Sequence, residues 1–355
     1  MTALPGNASA PQSTAWFCGA AAVTGVGSLP FTSPGPAIDF IARCCPEVPF
    51  WPQLRRMSPR EAMIPQTFGR HMRHLSALKH EHAYGLPAER VDRFLTALER
   101  AEAHFEPAGA AGFFAFTDAC ERGRFAAARA VKGQVMGPVT TACSLMADGT
   151  SFLERAELRD AVADYLVRLA RWQIESLQKF SSSVVLVFDE AYLGVAVRQC
   201  PERRQVAADL LKSVILRVRR PAVLVGVHCC DEVPLSLIAE IEPDLYSFDA
   251  FHGGDVFGAD VAAARFVAAG GHVAWGWVPT LDDLDRVCAQ TIVNRWREAT
   301  RALAAHGDVS AERIRARSLV TASCGLAGSS VPTCEKSFQL ALDVSRRFTE
   351  DAAGP

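Results

Sequence analysis

Short runs rich in Val, Ile, Leu and aromatic residues recur along the chain, at 22–28, 48–53, 133–136, 184–189, 222–228, 244–249, 272–277 and 319–324. Most are apolar at both alternations, the pattern of parallel strands buried between a core and covering helices. Amphipathic stretches at 33–45, 151–180, 201–219, 233–241, 256–269 and 282–306 predict helices between them, and a last helix spans 335–351. The first opens with Ser33-Pro34, suited to the cap and first-turn positions. Eight strands each followed by a helix define an α/β fold, the (β/α)8 TIM barrel. The rival is an open doubly wound sheet, which usually has a glycine-rich first turn. Gly25-Val26-Gly27-Ser28-Leu29-Pro30 lacks the third glycine and meets a proline instead.

One interval breaks the period. Residues 54–131, between the second and third runs, exceed what one crossover needs and carry His71, His74, His80 and His82 among many Arg and Glu. They are expected to form a helical insertion after the second strand, with a short hairpin near 112–116, lying over the barrel mouth as a lid or partner surface. Residues 1–20 form a flexible tail, loosest over Met1–Thr14, and 21–351 a single catalytic domain.

Composition narrows the class. At 355 residues with 49% hydrophobic and 21% charged residues, the chain has material for a large core. A net charge of -2 gives no footprint for nucleic acid or an anionic membrane surface. The apolar runs are too short to span a bilayer. The first twenty residues hold no Lys or Arg and no sustained apolar stretch, so the eleven cysteines do not suggest a secreted disulfide scaffold. A cytoplasmic location is expected, with cysteines as packing residues, metal ligands or reactive thiols. Cys143, Cys200, Cys288 and Cys334 are expected to pack.

In a barrel the chemistry gathers where strands end. After the fifth run, alternation puts His228 and Cys230 on one side and Cys229 on the other. His228 and Cys230 offer an imidazole and a thiolate to one metal ion, a donor set that suits zinc. Cys324, after the eighth run and before Gly325, adds a second thiol. Three such donors leave an open position for substrate. After the fourth run, Asp189 and Glu190 cannot both face inward, so one serves the site, Asp189 being suited to a substrate ammonium. Gly137-Pro138-Val139-Thr140 offers a turn with exposed backbone, while Asp249, His252 and Trp277-Val278-Pro279-Thr280 are candidate pocket residues.

Taken in order, these motifs resemble the catalytic barrel of cobalamin-independent methionine synthase, and more closely its stand-alone relatives in the wider uroporphyrinogen decarboxylase/methionine synthase-like superfamily. The residues that carry the resemblance are Thr24-Gly25-Val26-Gly27-Ser28-Leu29-Pro30, Pro49-Phe50-Trp51-Pro52-Gln53-Leu54, Gly137-Pro138-Val139-Thr140, Phe188-Asp189-Glu190, His228-Cys229-Cys230, Trp275-Gly276-Trp277-Val278-Pro279-Thr280 and Ser323-Cys324-Gly325-Leu326. The resemblance implies His228, Cys230 and Cys324 as zinc ligands, with Ser28 and Asp189 touching the amino-acid part of a homocysteine-like thiol. The family's fourth ligand, a glutamate, falls at Asp249, which is one methylene shorter, so water or substrate can fill that position. The family's amine-binding glutamate has no assigned position in 54–131.

The resemblance further implies a zinc-dependent thiol methyltransferase of methionine biosynthesis. Its donor would be a methylated corrinoid protein, docked at the insertion, or methyltetrahydrofolate. Two other readings stay open. A metal-independent uroporphyrinogen decarboxylase-like enzyme would use Arg55 and Arg56 to clamp carboxylates, and would leave His228, Cys230 and Cys324 without a task. A non-catalytic zinc- or thiol-binding protein would bind metal without transferring methyl groups.

Overall fold

The computed structural model describes residues 17, 20–78, 83–199, 201–280, 282–306 and 309–350. The expected loose tail at 1–14, and with it Cys200, His80 and His82, lie outside the described residues.

Seven parallel strands run Ala22–Val23, Val131–Met136, Val184–Asp189, Val223–Cys229, Leu245–Phe248, His272–Val278 and Ser318–Ala322. From Val131–Met136 onward each pairs with the next in chain order, and the first pairs with the last. The remaining gap, between Ala22–Val23 and Val131–Met136, is filled by residues 48–53. This segment forms parallel bridges on both sides, Ser28 to Gln53 and Phe50 to Lys132. Lys132 N donates to Pro49 O at 2.8 Å, and Gln53 N donates to Gly27 O at 3.0 Å. The ring therefore closes as a (β/α)8 barrel. The second stave is a run of bridges and not a regular strand because Pro49 and Pro52 each lack a ladder donor.

Alternation sorts the side chains. Ala22, Val48, Val185, Val187, Leu224, Leu245, Ala274 and Leu319 pack together inside the barrel. Val184, Leu186, Phe188 and Val225 join the larger core between sheet and helices. Strands buried on both faces produce the unbroken apolar runs of the sequence.

The outer helices include Pro34–Cys44, Ala156–Gln178, Pro201–Val218, Leu235–Ile241, Ala289–His306 and Val331–Glu350. Pro34 opens the first as expected, but the Ser33 side chain makes no capping bond. The single helix expected at 256–269 is two, Ala250–Ala259 and Val261–Ala268. Asp260 divides them, its carboxylate accepting from Ala262 N at 2.6 Å and Ala263 N at 3.1 Å as an N-cap. Among the described residues no helix is long and apolar enough to cross a membrane.

The insertion contains helices Met63–Phe68, Val91–Arg100 and Ala111–Glu121. The hairpin expected at 112–116 is absent, because those residues lie within Ala111–Glu121. Phe113 and Phe116, one turn apart, are both buried. That helix packs on Pro34–Cys44 and serves as the crossover helix of the second stave. The antiparallel pair of this region is instead Ser76–Ala77 with Tyr84–Leu86, in a small sheet completed by Leu145–Ala147 and Thr150–Ser151. Trp51, at the second stave, meets Phe105 and Phe113 edge-on, and its indole N–H donates to Gln173 Oε1 at 3.1 Å. This aromatic contact ties the insertion to the barrel wall.

Candidate metal centre

The strand Val223–Cys229 sends Leu224 into the barrel, and two and four residues on, Gly226 and His228 share that side. Cys230 continues the same parity beyond the strand end. Cys229 faces the opposite way, buried in the helix-side core, and its thiol donates to Asp231 O at 3.4 Å. Cys324 follows the last strand, whose outlet is held by Ser323 N donating to Val278 O at 2.8 Å. The fold thus brings His228, Cys230 and Cys324 together with their ligand atoms all within 4.8 Å of one another. No other group of three or more such donors is as compact among the described residues. Tetrahedral zinc with the usual bond lengths separates S and N donors by about 3.5–3.8 Å, so a trio within 4.8 Å is compact enough to close on one ion with small side-chain adjustments.

The electrostatics of the trio suit a metal. His228 Nδ1 pairs with Ser247 Oγ at 2.9 Å, from the facing position on the next strand. Its Nε2 is buried without a hydrogen-bond partner among the described residues. A buried, unpaired ring nitrogen beside two thiols is the feature an ion would satisfy. Cys324 is held below the ordinary thiol range by its contact with the Cys230 thiol, against the effect of burial. Cys230 is pushed up by the same contact and pulled down by His228.

Asp189 ends the strand Val184–Asp189 beside His228, with Oδ1 buried and unpaired among the described residues. Burial raises its pKa, while His228 and Lys132 pull it down. Glu190 points elsewhere, as parity demands. Its carboxylate accepts from Val139 N at 2.9 Å, Thr140 N at 2.7 Å and Thr140 Oγ1 at 2.6 Å. The backbone amides expected to be exposed at 137–140 are thus taken internally. Burial outweighs these bonds and lifts the Glu190 pKa to about 7.

Ser28 reaches the same mouth. Its carbonyl accepts from Leu326 N at 2.9 Å, and a side chain on Gly325 would collide with its hydroxyl. Gly325 is needed for this close approach. Asp249 lies near enough for its charge to raise the Cys324 pKa. It does not join the compact donor trio. Its carboxylate caps Ala250–Ala259 by accepting from His252 N at 3.2 Å, and it pairs with His252 Nδ1 at 2.7 Å.

Other candidates are placed away from the mouth. Trp277 is buried under helix Ala250–Ala259, where it would strike a side chain placed on Gly254. Cys334 is buried as expected, but Cys288 is exposed just before Ala289–His306, its sulfur 3.3 Å from Thr291 Oγ1. Arg56 donates to Gly328 O at 3.3 Å, so it braces the loop after Cys324. Glu61, in the insertion, spends its carboxylate on Ala111 N, Leu54 N and Gln66 Nε2. Lys132 lay outside the expected strand run at 133–136. It is buried in the barrel and donates to Val26 O at 2.7 Å.

No protein-family profile and no curated protein matches this chain. Solved structures do. A B12-independent methionine synthase from Shewanella sp. W3-18-1, in complex with selenomethionine, aligns at 13% identity over 68% of each chain with a TM-score of 0.48. A putative vitamin-B12 independent methionine synthase from Listeria monocytogenes aligns at 12% identity over 80% of this chain and 78% of its own, with a TM-score of 0.49.

Proposed function

We propose that this protein is a zinc-dependent methyltransferase that moves a methyl group to a thiol such as homocysteine, from a methylated corrinoid protein or methyltetrahydrofolate. The observation that carries the reading is the convergence of His228, Cys230 and Cys324 at the barrel mouth, with His228 Nε2 unpaired. Bound by these three donors, zinc would keep one position for a substrate thiol and stabilise it as the thiolate nucleophile at neutral pH.

The chain's own residues do the rest. Ser247 fixes the His228 ring, leaving Nε2 directed at the two thiols. Asp189 Oδ1, buried without a partner among the described residues, is poised for the substrate ammonium, and Ser28 lies across the mouth to contact the rest of the amino-acid moiety. A charged group held on Asp189 would orient the sulfur toward the metal donors and reduce the entropy cost of the encounter. Glu190 holds the 137–140 turn, and so the adjoining rim, in place. A corrinoid protein would dock on the insertion.

The test is zinc content in protein purified under reducing conditions, followed by addition of homocysteine and a methyl donor. The reading expects about one zinc per chain, a changed ligand sphere on adding homocysteine, and methionine as product. Zinc without methyl transfer to any thiol would leave a binding protein. No zinc would sink the proposal.

A further inference from the structure

The insertion carries a concentration of positive charge that the chemistry at the mouth does not use. Helix Val91–Arg100 buries Phe94 and Leu98. Phe94 meets the rings of Phe68, His74 and Phe152, and Leu98 O accepts from Arg168 Nη2 at 2.5 Å. These contacts fix the rotation of the helix and leave Arg93, Thr96 and Arg100 exposed. Facing them, the short 3₁₀ helix Gly69–His74 presents Arg73 and His74. Arg73 Nε donates to His74 Nε2 at 3.2 Å, and Arg90 Nη1 donates to Arg73 O at 3.4 Å, which joins the two banks. Arg73, His74, Arg93 and Arg100 line one open trough of about 420 Å³, floored by the small residues Thr96 and Ala97. Asp92 is the one carboxylate among its described lining residues. Neighbouring Arg70 is paired with Glu106 at 3.3 Å, whereas Arg73, Arg90, Arg93 and Arg100 form no ion pair among the described residues. Burial, and then the guanidiniums of Arg73, Arg90 and Arg93, lower the His74 pKa, so cations crowd this one place.

We propose that this trough is a docking site for an acidic segment of a partner protein, whose Asp and Glu side chains lie along the helix and pair with Arg73, Arg93 and Arg100. The inference rests on the donor-docking part of the proposed function and deepens it by stating the chemistry the partner must carry. Arg93 and Arg100 stand two helical turns apart, about 10 Å along the axis. An extended chain advances about 3.3 Å per residue, so a run of three or four acidic residues spans that distance. Guanidiniums spread along a trough suit a string of carboxylates, each taken by a planar fork of donors. A single small anion would need them to converge on one point. Nucleic acid would need basic surface facing many successive phosphates, and in a chain of net charge -2 this trough is a local patch. Complementary charge of this kind steers the encounter and fixes its orientation.

The experiment uses the full chain under reducing conditions, with a fluorescein-labelled peptide of eight aspartates as the probe and fluorescence anisotropy as the readout. The wild type should bind the peptide, with an affinity that falls as salt rises from about 0.02 M to about 0.15 M. Reversing two charges of the trough together, Arg93→Glu with Arg100→Glu, should weaken binding about 10-fold or more at low salt. Each reversal removes an exposed ion pair and adds a repulsion. The same change of net charge at exposed Arg301 and Arg313, made as Arg301→Glu with Arg313→Glu, should leave the affinity within about 3-fold of the wild type. All four positions are on the surface, and circular dichroism checks that both variants fold. A wild type that does not bind at low salt, or equal losses in the two double variants, would overturn the proposal. Inorganic tripolyphosphate that displaces the probe more effectively, at equal charge, than unlabelled peptide would also overturn it and make the trough a phosphate site. The measurement involves neither zinc nor a thiol, so failure of the metal centre and failure of the docking site are told apart.

Discussion

Replacing Lys132 with Met should stabilise the fold, and the gain should depend on pH. Burial pulls the Lys132 pKa from 10.5 down to about 8, despite the favourable charges of Asp189 and Cys45. At about 1.4 kcal/mol per pH unit, that depression is a native-state penalty of about 3 kcal/mol at neutral pH. Methionine matches the length of the lysine stem and removes the charge. It also leaves Val26 O without its donor, which costs about 1 kcal/mol, and Asp189 without its cation. The net expectation at pH 7 is a gain of about 1–2 kcal/mol. A buried cation retained against stability is what a group kept for the site would look like.

The sign with pH follows from proton counts. Below about pH 8 both native and unfolded lysine are protonated, and the penalty is complete. Between about 8 and 10.5 the unfolded chain keeps the proton and the native chain has lost it, so wild-type stability rises with pH. Lys132→Met lacks that contribution. Urea unfolding of both reduced, metal-free proteins at pH 7, 8, 9 and 10 measures the difference, free of metal linkage. The variant's advantage should shrink steadily above pH 8. A variant less stable than the wild type at pH 7, by an amount that stays constant to pH 10, would refute the reasoning. It would mean that the ammonium is solvated or fully compensated.

Cys324→Ser should weaken zinc by more than about 100-fold and abolish methyl transfer, since it removes a donor and not merely its support. Circular dichroism should be unchanged, and normal zinc affinity would remove Cys324 from the ligand set. Asp189→Ala should raise the KM for homocysteine about 10–100-fold, the value of one charged hydrogen bond, at constant zinc content. A KM equal to that of the wild type would end its proposed role. Glu190→Ala leaves Val139 N, Thr140 N and the Thr140 hydroxyl without their acceptor and should cost about 3–5 kcal/mol in urea unfolding. A loss below about 1 kcal/mol would show that the turn does not depend on it.

The barrel was legible because its strands are buried on both faces. Val184–Asp189 coincides with the run marked by composition alone. The second stave shows the limit of that signal: residues 48–53 carry the apolar run, but Pro49 and Pro52 prevent the regular ladder. Residues 112–116 misled for the opposite reason. Gly-Phe-Phe-Ala-Phe is apolar at both alternations, yet what decides its state is the packing of Phe113 and Phe116 at helical spacing. No local pattern distinguishes the two.

The site divides along the same line. Parity on one strand placed His228 and Cys230 on a common side, and barrel closure brought in Cys324 from the far end of the chain. Parity also required Asp189 and Glu190 to part, and it suffices to say which faces inward. Val185 and Val187 are interior residues, so Asp189 continues their side and Glu190 must turn to the 137–140 amides. The same rule, applied from Gln134 backward, would have put Lys132 inside. A lone lysine in Val-Lys-Gly-Gln-Val-Met looks instead like an exposed strand end. Its burial makes sense only once the barrel is closed, with small Ala274 lining the same space and Val26 O and Gln134 Oε1 accepting from its ammonium. Ligands that share a strand parity can be inferred from sequence, whereas the partners of a buried side chain such as Lys132 come from other segments and appear only once the barrel has closed.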